Sequence, residues 1–212
     1  MRNLRYLLAG MIFAVAGSAA GAGVYEDMIH AVNNDDTQAV IRLLQRGMDV
    51  NTVDPKGESL LMLAARHGKP EMVKAILGAR PRVNSRNVLG ETALMLAAFN
   101  GHTEAVRLLL AQEAEVNHPG WSPLIYAASS NRMDIARILI GRGAQVNGQA
   151  ENGTTALMMA AREGHLSMVL LLLEHGAEIN HRTPSGHTAL GLARSQGRRD
   201  IIDTLTRAGA VE

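Results

Sequence analysis

The sequence predicts an all-α solenoid of stacked helix-turn-helix modules, and three observations predict it. Gly57, Gly90, Gly120, Gly153 and Gly186 fall at intervals of 33, 30, 33 and 33 residues. Each opens the phrase Gly-x-Ser/Thr-x-Leu, and an Ala pair follows in every copy but the last, where Ala193 is followed by Arg194. Hydrophobic residues make up 47% of the chain and aromatics only 3%, so the core must be aliphatic. A unit of about 33 residues is too short to bury its own apolar face, so a fixed period along the chain marks stacked modules that shelter one another.

Taken in order, residues 1–22 read as a secretory leader: Arg2 and Arg5, an apolar run from Tyr6 to Ala16, then small residues ending in Ala20-Gly21-Ala22. That pattern is a signal with an A-x-A cleavage site, after Ala20 or Ala22, and places the mature chain in a bacterial periplasm. The alternative is an uncleaved signal anchoring the chain to a membrane, which Arg5, Gly10, Gly17 and Gly21 weaken. Residues 23–212 then form one array: an N-terminal cap module (24–51), four inner modules (52–84, 85–117, 118–147, 148–180) and a C-terminal cap module (181–212). Asn33, Asn34, Asp35 and Asp36 make the first module's turn polar, and Arg194, Arg198 and Arg199 do the same for the last. Polar outer faces keep the ends of an array soluble.

Inside a module the local signals agree. Thr92 is a helix cap before Ala93-Leu94-Met95-Leu96-Ala97-Ala98, the Asn100-Gly101 pair ends that helix, and Thr103 to Ala111 carries Val106, Leu109 and Leu110 at helical spacing. Ser59, Ser122, Thr155 and Thr188 hold the cap position in the other copies, with Ala64, Ala97, Ala127, Ala160 and Ala193 where helices approach closely. Pro70 and Pro123 stand at helix starts, where a missing N–H costs little. Asn51, Asn84, Asn117, Asn147 and Asn180 open the loops between modules and are expected to bond nearby backbone within the turn. The 118–147 module is three residues short ahead of Gly120, so its finger loop should be clipped and leave a notch.

The units Gly90-Glu91-Thr92-Ala93-Leu94-Met95-Leu96-Ala97-Ala98-Phe99-Asn100-Gly101-His102 and Gly153 to His165, with the tail Gly176-Ala177-Glu178-Ile179-Asn180, resemble ankyrin repeats. The resemblance covers residues 24 to 212 and implies an ankyrin-repeat solenoid of about six repeats including two caps. One departure from the family's Thr-Pro-Leu-His phrase is consistent: Met62, Met95, Ile125, Met158 and Gly191 stand where its His would be. Apolar packing is expected to replace the hydroxyl-to-imidazole bond.

Nothing in the chain carries the spacing of a catalytic or metal site. Gly120-Trp121-Ser122-Pro123-Leu124 begins like a nucleophile elbow but lacks the closing Gly, and Gly141-x-Gly143 has Val146 where a dinucleotide fingerprint needs its third Gly. His175, His181 and His187 recur every six residues without a cysteine among them, and ordinary loop histidines explain them better than a metal. Removing Arg2 and Arg5 from the 21 basic residues leaves 19 against 20 acidic ones, a net of −1 and no electrostatic footprint for nucleic acid. The chain is therefore expected to need no cofactor and to be no enzyme; a catalytic pair would have to come from residues such as His67 and Glu58, which no spacing supports.

The resemblance implies that a partner protein, not nucleic acid or membrane, is held by finger loops and the exposed side of the first helices, with the chain a monomer. Carried over residue by residue, the binding positions are Lys56, Glu58, Arg66 and His67; then Val88, Leu89, Glu91, Phe99 and Asn100; then His118, Trp121, Ser129 and Ser130; then Thr154 and Arg162, with Glu151, Asn152 and Glu163 beside them. Phe99 and Trp121, with Val88 and Leu89, are expected to form an apolar contact cluster beside the clipped loop; the other reading is that Trp121 packs into the missing volume with Phe99 in support. Tyr126 replaces a framework Leu and is expected to be buried. The implied function is an exported protein-interaction scaffold whose partner is a protein such as an exported enzyme that it inhibits or protects. A small ligand or cell-wall glycan stacking on Trp121 is the alternative.

Overall fold

The computed structural model describes residues 19–211, and the leader's Arg2, Arg5 and Tyr6–Ala16 run lie outside them. Among the described residues there are twelve helices and no extended strands, arranged as six helix-turn-helix pairs. In chain order these are α1 (Ala19–Asn33) and α2 (Thr37–Gln45), α3 (Leu60–His67) and α4 (Pro70–Gly78), α5 (Ala93–Asn100) and α6 (Thr103–Ala111), α7 (Pro123–Ser129) and α8 (Met133–Gly141), α9 (Ala156–Glu163) and α10 (Leu166–Glu174), and α11 (Ala189–Ser195) and α12 (Arg199–Arg207). Among the described residues no helix is long and apolar enough to cross a membrane.

From the second pair onward, the first helix begins at a side-chain cap. Ser59, Thr92, Ser122, Thr155 and Thr188 cap α3, α5, α7, α9 and α11, each hydroxyl accepting the N–H three residues on at 3.0–3.3 Å. That third residue is the one the family fills with His. Here Met62, Met95, Ile125 and Met158 are buried in the core, and the Met62 thioether accepts the Ser59 N–H at 3.5 Å. Left-handed Gly68, Gly101 and Gly164 close α3, α5 and α9. A Cβ at Gly68 would collide with the His102 imidazole of the next module, so this glycine answers both a positive φ and a close approach.

At the first boundary α2 meets α4 at least as closely as α1 meets α3; from α3 to α11 stacking joins first helix to first helix, while the second helices touch one another more sparsely. The sequence shows why. Six consecutive residues of α5, Ala93 to Ala98, are buried, whereas α6 buries only the stripe Ala105, Val106, Leu109 and Leu110. Small residues at Ala64, Ala97, Ala127, Ala160 and Ala193, all fully buried, let neighbouring first helices close together.

Two hydrogen-bond ladders cross the module boundaries. Local turn chemistry predicts that Asn51, Asn84, Asn117, Asn147 and Asn180 bond backbone within their own turns, yet of the five side chains only that of Asn51 bonds locally, and to the Asp49 side chain at 3.3 Å. Each accepts, at 2.8–2.9 Å, the backbone N–H of the following module's loop: Arg82, Glu115, Gln145, Glu178 and Val211. The last four also donate their amides forward, Asn117 to the Gly143 carbonyl at 2.9 Å. In the second ladder the side chains of His102, Arg132, His165 and Arg198 each donate back to a first-helix carbonyl of the preceding module, at Arg66, Phe99, Ser129 and Arg162. Stacked copies leave the same backbone groups at successive boundaries, so side chains placed in register, Asn in one ladder and His or Arg in the other, satisfy them.

Candidate partner-binding face

Finger loops and first helices place the family-implied positions side by side. Four of the five finger loops are closed by the same pair of backbone bonds, as in Asn87 N–H to Glu91 O at 3.1 Å and Gly90 N–H to Asn87 O at 2.9 Å. The shortened segment 118–121 makes neither, as the missing residues require. Lys56 lies exposed in one loop, and its carbonyl accepts the Val88 N–H of the next at 3.0 Å. Among the described residues Val88 and Leu89 are the most exposed large apolar side chains, at 72% and 78%.

Two register positions recur in each module: the residue directly after the module glycine, and the residue eight positions later on the first helix. In the first inner module these are Glu58 and Arg66. The Arg66 guanidinium forks onto the Glu58 carboxylate, Nη1 to Oε2 at 2.8 Å and Nη2 to Oε1. Glu58 is thereby 6% exposed, a buried anion closed by its own module and not the free contact residue its position implied. His67 beside it is exposed. The Glu58 carboxylate is thus engaged by Arg66 and not by His67.

One module on, Glu91 occupies the Glu58 position and Phe99 the Arg66 position. Glu91 accepts from Asn87 Nδ2 at 2.8 Å and from the Tyr126 hydroxyl at 2.9 Å. Tyr126 is half-buried, not buried as the framework register implied, because its ring leaves the core to reach across the module boundary. Phe99 meets that ring in a T-shaped contact, centroids 5.9 Å apart, and Trp121 lies against it at 5.5 Å. The Phe99 and Trp121 rings therefore converge on Tyr126, while Val88 and Leu89 stand out at the loop tip and line no part of the cleft these rings form. Burial foremost, and then the bond to Glu91 and its negative charge, push the Tyr126 phenol far above its ordinary pKa.

Phe99, Trp121 and Tyr126 form one wall of an open cleft of about 420 Å³; Met159, Arg162 and Glu163 form the opposite one, with Ser129 and Ser130 between. Phe99 and Trp121 keep 45% and 37% of their surface exposed. Arg162 is held by Glu163 at 2.8 Å. Asn100 and Ser129 turn their polar groups back onto their own helices, to Leu96 O and Tyr126 O at 2.8 Å. Thr154 is half-buried, its N–H donated to Asn152 Oδ1 at 3.0 Å. His118, expected at the surface of the clipped loop, has both ring nitrogens sealed from solvent without a partner. Among the histidines spaced by six, His181 donates to Gly153 O at 2.9 Å and His187 shares a hydrogen bond with Ser185.

Register found Phe99, Trp121, Ser129, Ser130 and Arg162, which the cleft brings together. It missed Tyr126 and Met159, framework positions whose larger side chains rise into the cleft; the Tyr in a Leu position was the available signal.

Three matches to the family model of ankyrin repeats cover residues 26–87, 61–150 and 146–211. Over 143 residues the chain is 29% identical to E3 ubiquitin-protein ligase hecd-1 of Caenorhabditis elegans, a match that takes in 66% of this chain and 4% of that protein. The chain thus spans a small fraction of that relative's length. Ankyrin repeats generally mediate protein–protein interaction, and proteins built from them are typically non-enzymatic scaffolds. With stacked helix pairs throughout the described array and repeat matches running from residue 26 to 211, this chain belongs to the ankyrin-repeat family.

Proposed function

We propose that the chain is a non-enzymatic interaction module, exported by the leader read in residues 1–22 to the periplasm, that holds a partner protein along its finger loops and first helices. One observation carries the reading: past the leader the sequence contains only Tyr25, Phe99, Trp121 and Tyr126 as aromatics, and three of the four stand together at the cleft. A core built from aliphatic residues has no need of them there. Partly exposed aromatic anchors in a recess, rimmed by polar side chains, are the anatomy of a protein-binding hot spot. An interface of about 800 Å² per partner would cover three or four modules around this recess. An exported enzyme that is inhibited or protected by being held there fits the same face.

The test is crosslinking in intact cells followed by mass spectrometry, with wild type and the Phe99→Ala/Trp121→Ala double variant compared. A partner lost from the variant, whose helical circular dichroism is retained, supports the reading. Equal capture by both rejects this site.

A further inference from the structure

We propose that the partner contributes a basic side chain, an arginine or lysine, that docks on Glu91 in the place Arg66 fills one module earlier. This deepens the reading above and rests on it. Glu58 and Glu91 are equivalent in register, as are Arg66 and Phe99. Arg66 closes the Glu58 carboxylate from within the chain. Phe99 has no charge to offer, so Glu91 receives only the neutral donors Asn87 and Tyr126, and among the described residues no ion pair reaches it.

An ionised carboxylate has about four acceptor positions, and two donors leave room for a guanidinium or ammonium. The surroundings favour one. Tyr126 bonds Glu91 through its hydroxyl, meets Phe99 edge-on and has Trp121 against the same ring, so the carboxylate sits at the margin of an aromatic cluster. Cations are drawn to aromatic faces, and a guanidinium also stacks on them, while the methylene stem covers apolar surface. The local charge agrees: Arg162 is already paired with Glu163, and exposed Glu151 lies against Gly120, beside Trp121. Selectivity for a basic residue would come from a cation left out of the chain at one position in an otherwise repeated pattern.

The experiment is selection of a random-sequence peptide display library on the purified full chain, followed by titration of a synthetic winner. Emission of Trp121, the chain's one tryptophan, reports binding at the cleft. The expected winners share an Arg or Lys beside an apolar residue. Their affinity falls about tenfold in Glu91→Gln, consistent with loss of one charge-assisted contact. Phe99→Arg supplies the missing cation from within the chain and abolishes binding, whereas Phe99→Met, which adds no charge, costs less; urea unfolding curves establish that each variant is folded. Winners without a basic residue, or binding unchanged in Glu91→Gln and Phe99→Arg, overturn the inference. If such winners are still lost in Phe99→Ala/Trp121→Ala, the face remains a binding site for a different side chain; if they survive that double variant, or if no peptide is selected, both readings fall.

Discussion

Tyr126 donates its hydroxyl to Glu91 at 2.9 Å, a bond that ties the shortened module to the one before it. The phenol's pKa is raised in the folded chain, chiefly by burial. The proton is therefore held more tightly folded than unfolded, and the linked stability is fully present below the unfolded value of about 10 and lost as pH rises beyond it toward the folded value. Tyr126→Phe should flatten the decline in stability above about pH 10 and cost about 1 kcal/mol at neutral pH, where one hydrogen bond is removed. Urea unfolding across that range checks both, and parallel pH profiles for the two proteins would refute the linkage.

Asn147 accepts the Glu178 N–H at 2.8 Å and donates to the Gly176 carbonyl at 3.1 Å, and Asn180 makes the same two bonds to Val211 and Gly209. Asn→Ala at either site removes two inter-module bonds, worth about 1 kcal/mol each. In a quasi-one-dimensional array the consequence depends on place. Asn147→Ala should shift global unfolding by about 2 kcal/mol, while Asn180→Ala should chiefly raise hydrogen exchange in α12. Equal exchange patterns for the two variants would show that the array does not transmit stability from module to module.

Those Asn residues also show where sequence logic stops. Thr92, Gly101 and the span Thr103–Ala111 were legible because caps, helix ends and apolar stripes are local, and the structure has them as expected. The Asn partners lie about thirty residues away, so a local turn rationale named the right residue for the wrong bond. The cleft divides the same way. Register alone places Phe99, Trp121 and Arg162 on the exposed side, but it treats Glu58 and Glu91 as equal contact residues. Only the fold shows that Arg66 closes one and a tyrosine from the next module bonds the other.

Arg80 and Glu113 have φ of 56° and 58°, at the position after the second helix where Gly47, Gly143, Gly176 and Gly209 stand in other modules. A side chain there is strained by its Cβ, at about 1–2 kcal/mol, and glycine relieves the strain while losing more freedom on folding. Glu113→Gly should stabilise the chain by about 0.5–1 kcal/mol, with Arg80→Gly acting similarly and independently. Guanidinium chloride midpoints measure it; a lower midpoint for both would mean that the side chains make compensating contacts.

His118 is where the three-residue loss has its clearest local consequence. In the full-length finger loops the backbone closes on itself through paired bonds, but in the segment 118–121 that pairing is gone, and the imidazole nitrogens are sealed from solvent without a partner. A buried polar group left unpaired costs about 1–3 kcal/mol, whereas an apolar side chain of similar volume fills the same space without that penalty. His118→Leu should therefore raise stability by about 1 kcal/mol or more in urea unfolding. Partner capture should stay unchanged, because the ring does not line the cleft beside Trp121. Loss of stability in His118→Leu would mean that the imidazole has a partner in solution, and loss of capture would extend the binding face into the notch.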